Sequence, residues 1–89
     1  MAHSTDDNQQ YIVDALRSIG ATVQSIHRVG YGAPDLIVGY RGKNWLFEVK
    51  NEHGHLNIRQ QEWHKNWRGQ VTVIKTPDEA IDIITMEEE

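Results

Sequence analysis

Three residues of this chain have the types and spacing of a group that could act on a phosphate ester: Asp35, which follows Pro34, and the pair Glu48 and Lys50 in the segment WLFEVK. Two neighbouring carboxylates are hard oxygen ligands suited to Mg²⁺ or Mn²⁺, ions that keep several waters and take phosphate oxygens beside their protein ligands. A lysine two residues along can orient or help deprotonate a water and offset the charge that builds on a phosphorane-like transition state. The parts suit phosphodiester hydrolysis. Each pattern is short, and a buried Asp–Glu–Lys ion-pair cluster without activity would read the same way.

The chemistry requires elements that bring Asp35 to Glu48 and Lys50. The apolar run Leu36 to Tyr40 predicts a strand that Asp35 opens, and the segment RGKN supplies a hairpin turn into a second strand, WLFEVK. Strand side chains alternate, so Asp35 shares a face with Ile37 and Gly39, and Glu48 with Lys50, while Trp45, Phe47 and Val49 point the other way. Pairing Tyr40 with Trp45 or Leu46 across the turn would set Asp35 opposite the region of Lys50. Carboxylates and a lysine on strands this apolar are costly unless paired or bound to metal.

The remaining elements follow from periodicity. Ile12, Val13, Ala15, Leu16 and Ile19 have helical spacing over residues 7–19, with Ser4, Thr5 or Asp6 as possible caps and Gly20 as the stop. The stretch ATVQSIHRV, residues 21–29, predicts a strand before the punctuation of Gly30, Gly32 and Pro34. After the loop NEHGH, a second helix is expected from about Asn57 to Arg68, then a strand over QVTVIK and a last helix from Pro77 to about Thr85. The expected order is αβββαβα: an α/β fold with a mixed central sheet flanked by helices. With 89 residues and no repeats or linker, the chain is expected to be one domain over residues 1–89, with loose ends at 1–5 and 86–89.

A net charge of −4 looks unfavourable for a nucleic-acid partner. Its distribution reverses that impression. Asp6, Asp7, Glu87, Glu88 and Glu89 lie at the chain ends, and setting those five aside leaves eight acids against nine bases. Arg28, Arg41, Lys43, Lys50, Arg59, Lys65 and Arg68 are candidates for phosphate contacts, although each alone reads equally as a solvated charge. The absence of cysteine excludes disulfides, thiolate metal sites and a thiol nucleophile. No run approaches a membrane span, and the start MAHSTDDNQQ lacks the basic and apolar regions of a signal peptide, so a cytoplasmic protein without membrane contact is expected.

The stretch GAPDLIVGYRGKNWLFEVK, with Pro-Asp opening one strand and Glu-Xaa-Lys closing the next, resembles the PD-(D/E)XK nuclease superfamily. Adding HRVGYGAPDL, the helix LNIRQQEWHKNWRGQV and the closing TPDEAI, nearly the whole chain is similar to the VRR-Nuc family in its small stand-alone form from phages and bacteria. That resemblance implies a restriction-endonuclease-like fold and a Mg²⁺- or Mn²⁺-dependent DNA endonuclease acting by in-line attack of water. It further implies branched, flap or junction DNA as substrate and a homodimer as the acting form. By the same resemblance Asp35 and Glu48 are metal ligands, the backbone carbonyl of Val49 is a third, Lys50 is the catalytic lysine, and Gln60 faces the site, with Gln61 as the fallback. The family often carries an acidic residue in its first helix. In the stretch NQQYIVDALR, Gln9 takes that position, and Asp14, at a different spacing, reads as part of a solvated helix face.

Other features have simpler readings. His53 and His55 form an HGH pair without an obvious third ligand, so substrate contact or solvent exposure is expected of them. His64, one turn after Gln60, could approach the site, although a surface role is the simpler expectation. Trp63 and Trp67, four residues apart, could stack on bases, but core or dimer-interface packing is expected first. Gly30 and Gly32 precede a strand and are not followed by GK[ST], so they make no phosphate loop. Two rival classes remain: a nuclease-fold module that binds DNA or protein without cutting, and a small structural or inhibitory protein whose acidic ends imitate nucleic acid. A small core and exposed tryptophans give a dimer independent motivation.

Overall fold

The structure, a computed structural model, describes residues 5–86. Helix α1 (Thr5–Ser18) leads into strand β1 (Thr22–Ser25), a single 3-10 turn (His27–Val29), β2 (Leu36–Tyr40), β3 (Lys43–Val49), α2 (Ile58–Asn66), β4 (Thr72–Ile74) and α3 (Pro77–Thr85). The order αβββαβα is as expected. The cap candidate Ser4, the side chains of Thr5 and Asp6, and the acidic tail Glu87, Glu88 and Glu89 lie outside what is described.

One mixed sheet runs β1-β2-β3-β4. The first three strands are antiparallel neighbours, and β4 joins β3 in parallel, with α2 in the crossover between them. Leu36, Val38, Phe47, Val49 and Ile74 are buried on one face against Ile12 and Leu16 of α1 and Ala80 and Ile84 of α3. Each helical pair is four residues apart, which puts both members on one side of its helix. Thr76 caps α3 by accepting from the Glu79 N–H at 3.1 Å, and Pro77 fills the first helical position, where its missing N–H costs nothing. The opposite sheet face carries Ile37, Gly39, Leu46 and Glu48 by alternation, and α2 lies over its Glu48 end.

Two expectations need correction. The turn is not the four residues RGKN: Arg41 and Gly42 alone make it, both at positive φ (51° and 79°), as two-residue hairpins require. Tyr40 therefore pairs with Lys43 instead of Trp45 or Leu46, and the whole hairpin closes tighter. The expected strand over residues 21–29 is also shorter. Its pairing stops at Ser25, and Ile26 at φ −120° and ψ 18° turns the chain into the 3-10 turn.

The loop after that turn is fixed against α2 by a glycine. Gly32 has φ +86°, and a Cβ there would collide with the Arg59 carbonyl. No helix among the described residues is long and apolar enough to cross a membrane.

Candidate active site

The site follows from where β2 begins. Leu36 pairs with Phe47, so Asp35 and Glu48 come next in line on their strands. The Asp35 backbone is anchored on both sides: its N–H donates to the Phe47 carbonyl at 3.0 Å, and its carbonyl accepts from the Ile26 N–H at 2.8 Å. Its carboxylate then takes the place of a missing strand acceptor, Oδ2 receiving the Val49 N–H at 2.8 Å. The N–H and C=O of one strand residue leave on the same side, so the Val49 carbonyl also opens toward Asp35.

Glu48 is 1% exposed and Asp35 8%. Two carboxylates in so little water cannot both carry full charge cheaply. Burial, then the hydrogen bond and negative charge of Asp35, push the Glu48 carboxyl up from 4.5 to about 9, while the Lys50 ammonium pulls it back. Without a cation, Glu48 holds a proton at neutral pH.

Helix α2 completes the cluster. Asn57 caps it, its Oδ1 accepting from the Gln60 N–H at 2.9 Å, and the Gln60 side chain returns the bond, Oε1 accepting from the Asn57 N–H at 3.0 Å. The same Oε1 accepts from Lys50 Nζ at 2.8 Å, and Gln60 Nε2 reaches Glu48 Oε2 at 3.5 Å. One turn later, His64 Nε2 stands 3.8 Å from the other oxygen, Glu48 Oε1. Burial and the Lys50 ammonium both lower the His64 pKa below its ordinary value, so the ring is neutral.

The four residues expected at the site, Asp35, Glu48, Lys50 and Gln60, are thus brought together. Gln61 is exposed, its Nε2 donating to the Leu56 carbonyl at 2.9 Å, which sets the fallback aside. Asp14 is also at the surface, accepting from Gln10 Nε2 at 2.8 Å. From α1, Asn8, adjacent to Gln9, reaches the end of β3; its Nδ2 donates to the Lys50 and Lys75 carbonyls, each at 3.0 Å. His64 corrects the surface expectation, with its side chain 14% exposed against Glu48. His27 was also missed: the 3-10 turn sets its Nδ1 3.4 Å from Asp35 Oδ1, a position no strand over residues 21–29 would give it. His53 and His55 are exposed. Trp63 and Trp67 stack on each other, ring centroids 4.6 Å apart, and stand outside the core, lining an open cavity with Tyr31 and Arg59.

Asp35, Glu48 and the Val49 carbonyl could hold a hard divalent cation. All are oxygen donors, and Glu48 Oε1 is buried with no hydrogen-bond partner. Among the described residues no group of three or more His, Cys, Asp or Glu side chains stands placed to hold a metal ion. Two carboxylates are nonetheless enough for Mg²⁺ or Mn²⁺, which complete their shells with water and phosphate oxygens.

A mixed four-stranded sheet with helices on both faces, Pro-Asp at the head of one central strand and Glu-Xaa-Lys at the end of the next, is the restriction-endonuclease-like arrangement of the PD-(D/E)XK nuclease domains. Neither a family model nor a curated protein matches the sequence. Among solved structures, one described as "VRR_NUC domain" is similar, with a TM-score of 0.74 and 26% identity over 94% of this chain and 97% of that one. That likeness, over nearly the whole of both chains, supports membership of the VRR-Nuc family of the PD-(D/E)XK superfamily.

Proposed function

We propose that this domain, residues 1–89 acting as one unit, is a Mg²⁺- or Mn²⁺-dependent endonuclease that hydrolyses phosphodiester bonds of branched, flap or junction DNA in the cytoplasm of a bacterial or phage-infected cell. The observation that carries this reading is the buried pair Asp35 and Glu48 with Lys50 held over it by Gln60. A cation bound by Asp35, Glu48 and the Val49 carbonyl would supply Lewis-acid charge to the scissile phosphate. Lys50, half-buried and hydrogen-bonded by Gln60, orients the attacking water and faces the growing negative charge. Gln60 fixes the lysine's direction. Arg59, exposed beside Gln60, is placed to meet the substrate backbone.

A homodimer is part of the proposal. Val29, Tyr31, Ile58 and Trp67 leave large apolar side chains exposed, surface that a second copy would cover. A light-scattering mass equal to one chain at micromolar concentration would remove the dimer. The second reading, a module that binds without cutting, draws on α1, where Gln9 stands at the position the family often gives to an acid.

Incubating the protein with flap, junction, single-stranded and duplex DNA in Mg²⁺, in Mn²⁺ and in chelator separates the two. The nuclease cuts a branched substrate in metal, and a Lys50→Ala variant does not. If wild type and variant leave every substrate equally intact, the binding module takes its place.

A further inference from the structure

Among the described residues, two buried side-chain polar atoms lack a hydrogen-bond partner: Glu48 Oε1 and His64 Nε2. They face each other. Their separation of 3.8 Å is too long for a hydrogen bond, yet each is shut away from solvent, and an orphaned buried group of either kind is destabilising. Both come from rigid elements, β3 and the capped helix α2, so the pairing is not a chance encounter of loose side chains. Gln60 and His64 are one helical turn apart and divide the carboxylate between them, Gln60 toward Oε2 and His64 toward Oε1.

We propose that His64 Nε2 and Glu48 Oε1 form a mixed nitrogen–oxygen donor pair for one divalent cation, which makes this centre favour Mn²⁺ over Mg²⁺. Donors on adjacent positions around such an ion, each about 2.1 Å from it, lie roughly 3 Å apart, so a small rotation of the imidazole closes the pair. An imidazole nitrogen suits transition ions, whereas Mg²⁺ selects oxygen and holds its waters. The inference rests on the reading of Asp35 and Glu48 as metal ligands. It adds a ligand from α2, one helical turn after Gln60.

Two measurements on the full chain test it without reference to cleavage. Calorimetric titration with MnCl₂ and MgCl₂ compares wild type, His64→Ala, His64→Gln and Asp35→Asn. Loss of the nitrogen ligand weakens Mn²⁺ about tenfold or more in both His64 variants and Mg²⁺ by less than about threefold. Pulsed EPR of the Mn²⁺-loaded protein shows nitrogen coupling from a directly bonded imidazole in wild type and none in His64→Gln, while His53→Ala and His55→Ala keep it. Unchanged Mn²⁺ affinity, absence of nitrogen coupling in wild type, or its persistence in His64→Gln overturns the proposal, leaving His64 as a filler beside a protonated carboxyl. Failure of Asp35→Asn to reduce binding of either ion would instead overturn the metal-ligand reading of Asp35 on which the donor pair rests.

Discussion

Lys50 and Gln60 share a 2.8 Å hydrogen bond whose acceptor, Gln60 Oε1, also closes the N-terminal capping box of α2. One oxygen therefore sets both where the helix begins and where the lysine points. Asn57→Ala removes half of the box and leaves the lysine contact. It should cost ~1 kcal/mol of stability by urea denaturation while cleavage falls only a few-fold. Gln60→Ala removes the other half of the box together with the lysine contact. An equal stability loss is expected, with kcat reduced about 10- to 100-fold as Lys50 loses its guide; matching kcat losses in the two variants would mean that the cap, and not the lysine contact, matters.

Lys50→Met keeps the apolar stem and removes the ammonium. Activity should drop about 10²- to 10⁴-fold, the range of a lost acid–base or electrostatic group, with folding intact by circular dichroism. Retention of more than a tenth of the wild-type rate would take Lys50 out of the chemistry.

The pH dependence of metal-free stability has a definite sign. The Glu48 carboxyl titrates at 4.5 when unfolded and at about 9 when folded, so between those values the folded chain holds the extra proton. Stability from this group is full below 4.5 and is lost as pH rises toward 9. In chelator, the denaturation midpoint should decline from pH 5 to pH 9, and Glu48→Gln should flatten that decline. The same substitution is expected to stabilise the metal-free protein at pH 8, where unfolding lets Glu48 ionise and an amide has no such gain, while abolishing hydrolysis. A wild-type profile that rises over this range would contradict the protonated state.

Gly32→Ala and Gly20→Ala make a matched pair. Both glycines have positive φ, +86° and +95°, but only at Gly32 does a Cβ run into the backbone of α2. Gly20→Ala should cost ~1 kcal/mol for the backbone alone. Gly32→Ala should cost about 2 kcal/mol more as the loop and α2 are forced apart, lowering activity as well, and equal melting temperatures would deny the close approach.

The proposed trio was readable because alternation puts Glu48 and Lys50 on one face of their strand and the hairpin returns that face to Asp35 whenever the register keeps its parity. The register itself was not, since nothing in RGKN announces that Arg41 accepts a positive φ. Gln60 was found through its family segment, which also placed it correctly against Gln61. His64 was weighed for the site and assigned to the surface for a physical reason: α2 buries none of its residues, so no apolar stripe marks its inner face. His27 escaped because a β-rich run hides a 3-10 turn. At α1, Asn8 was not singled out, because one residue along a helix is about 100° of rotation and nothing in NQQYIVDALR marks which polar side chain meets the end of β3.

The two-residue turn at Arg41 and Gly42 is also a parity device. Whether Glu48 faces α2 or the aliphatic core depends on an even or odd count of residues around the hairpin. Inserting or deleting a single residue there would swap Glu48 and Lys50 with Phe47 and Val49, erasing site and core together. The tip of this hairpin is therefore held in length by the parity of its strands and in residue type by the two positive φ values.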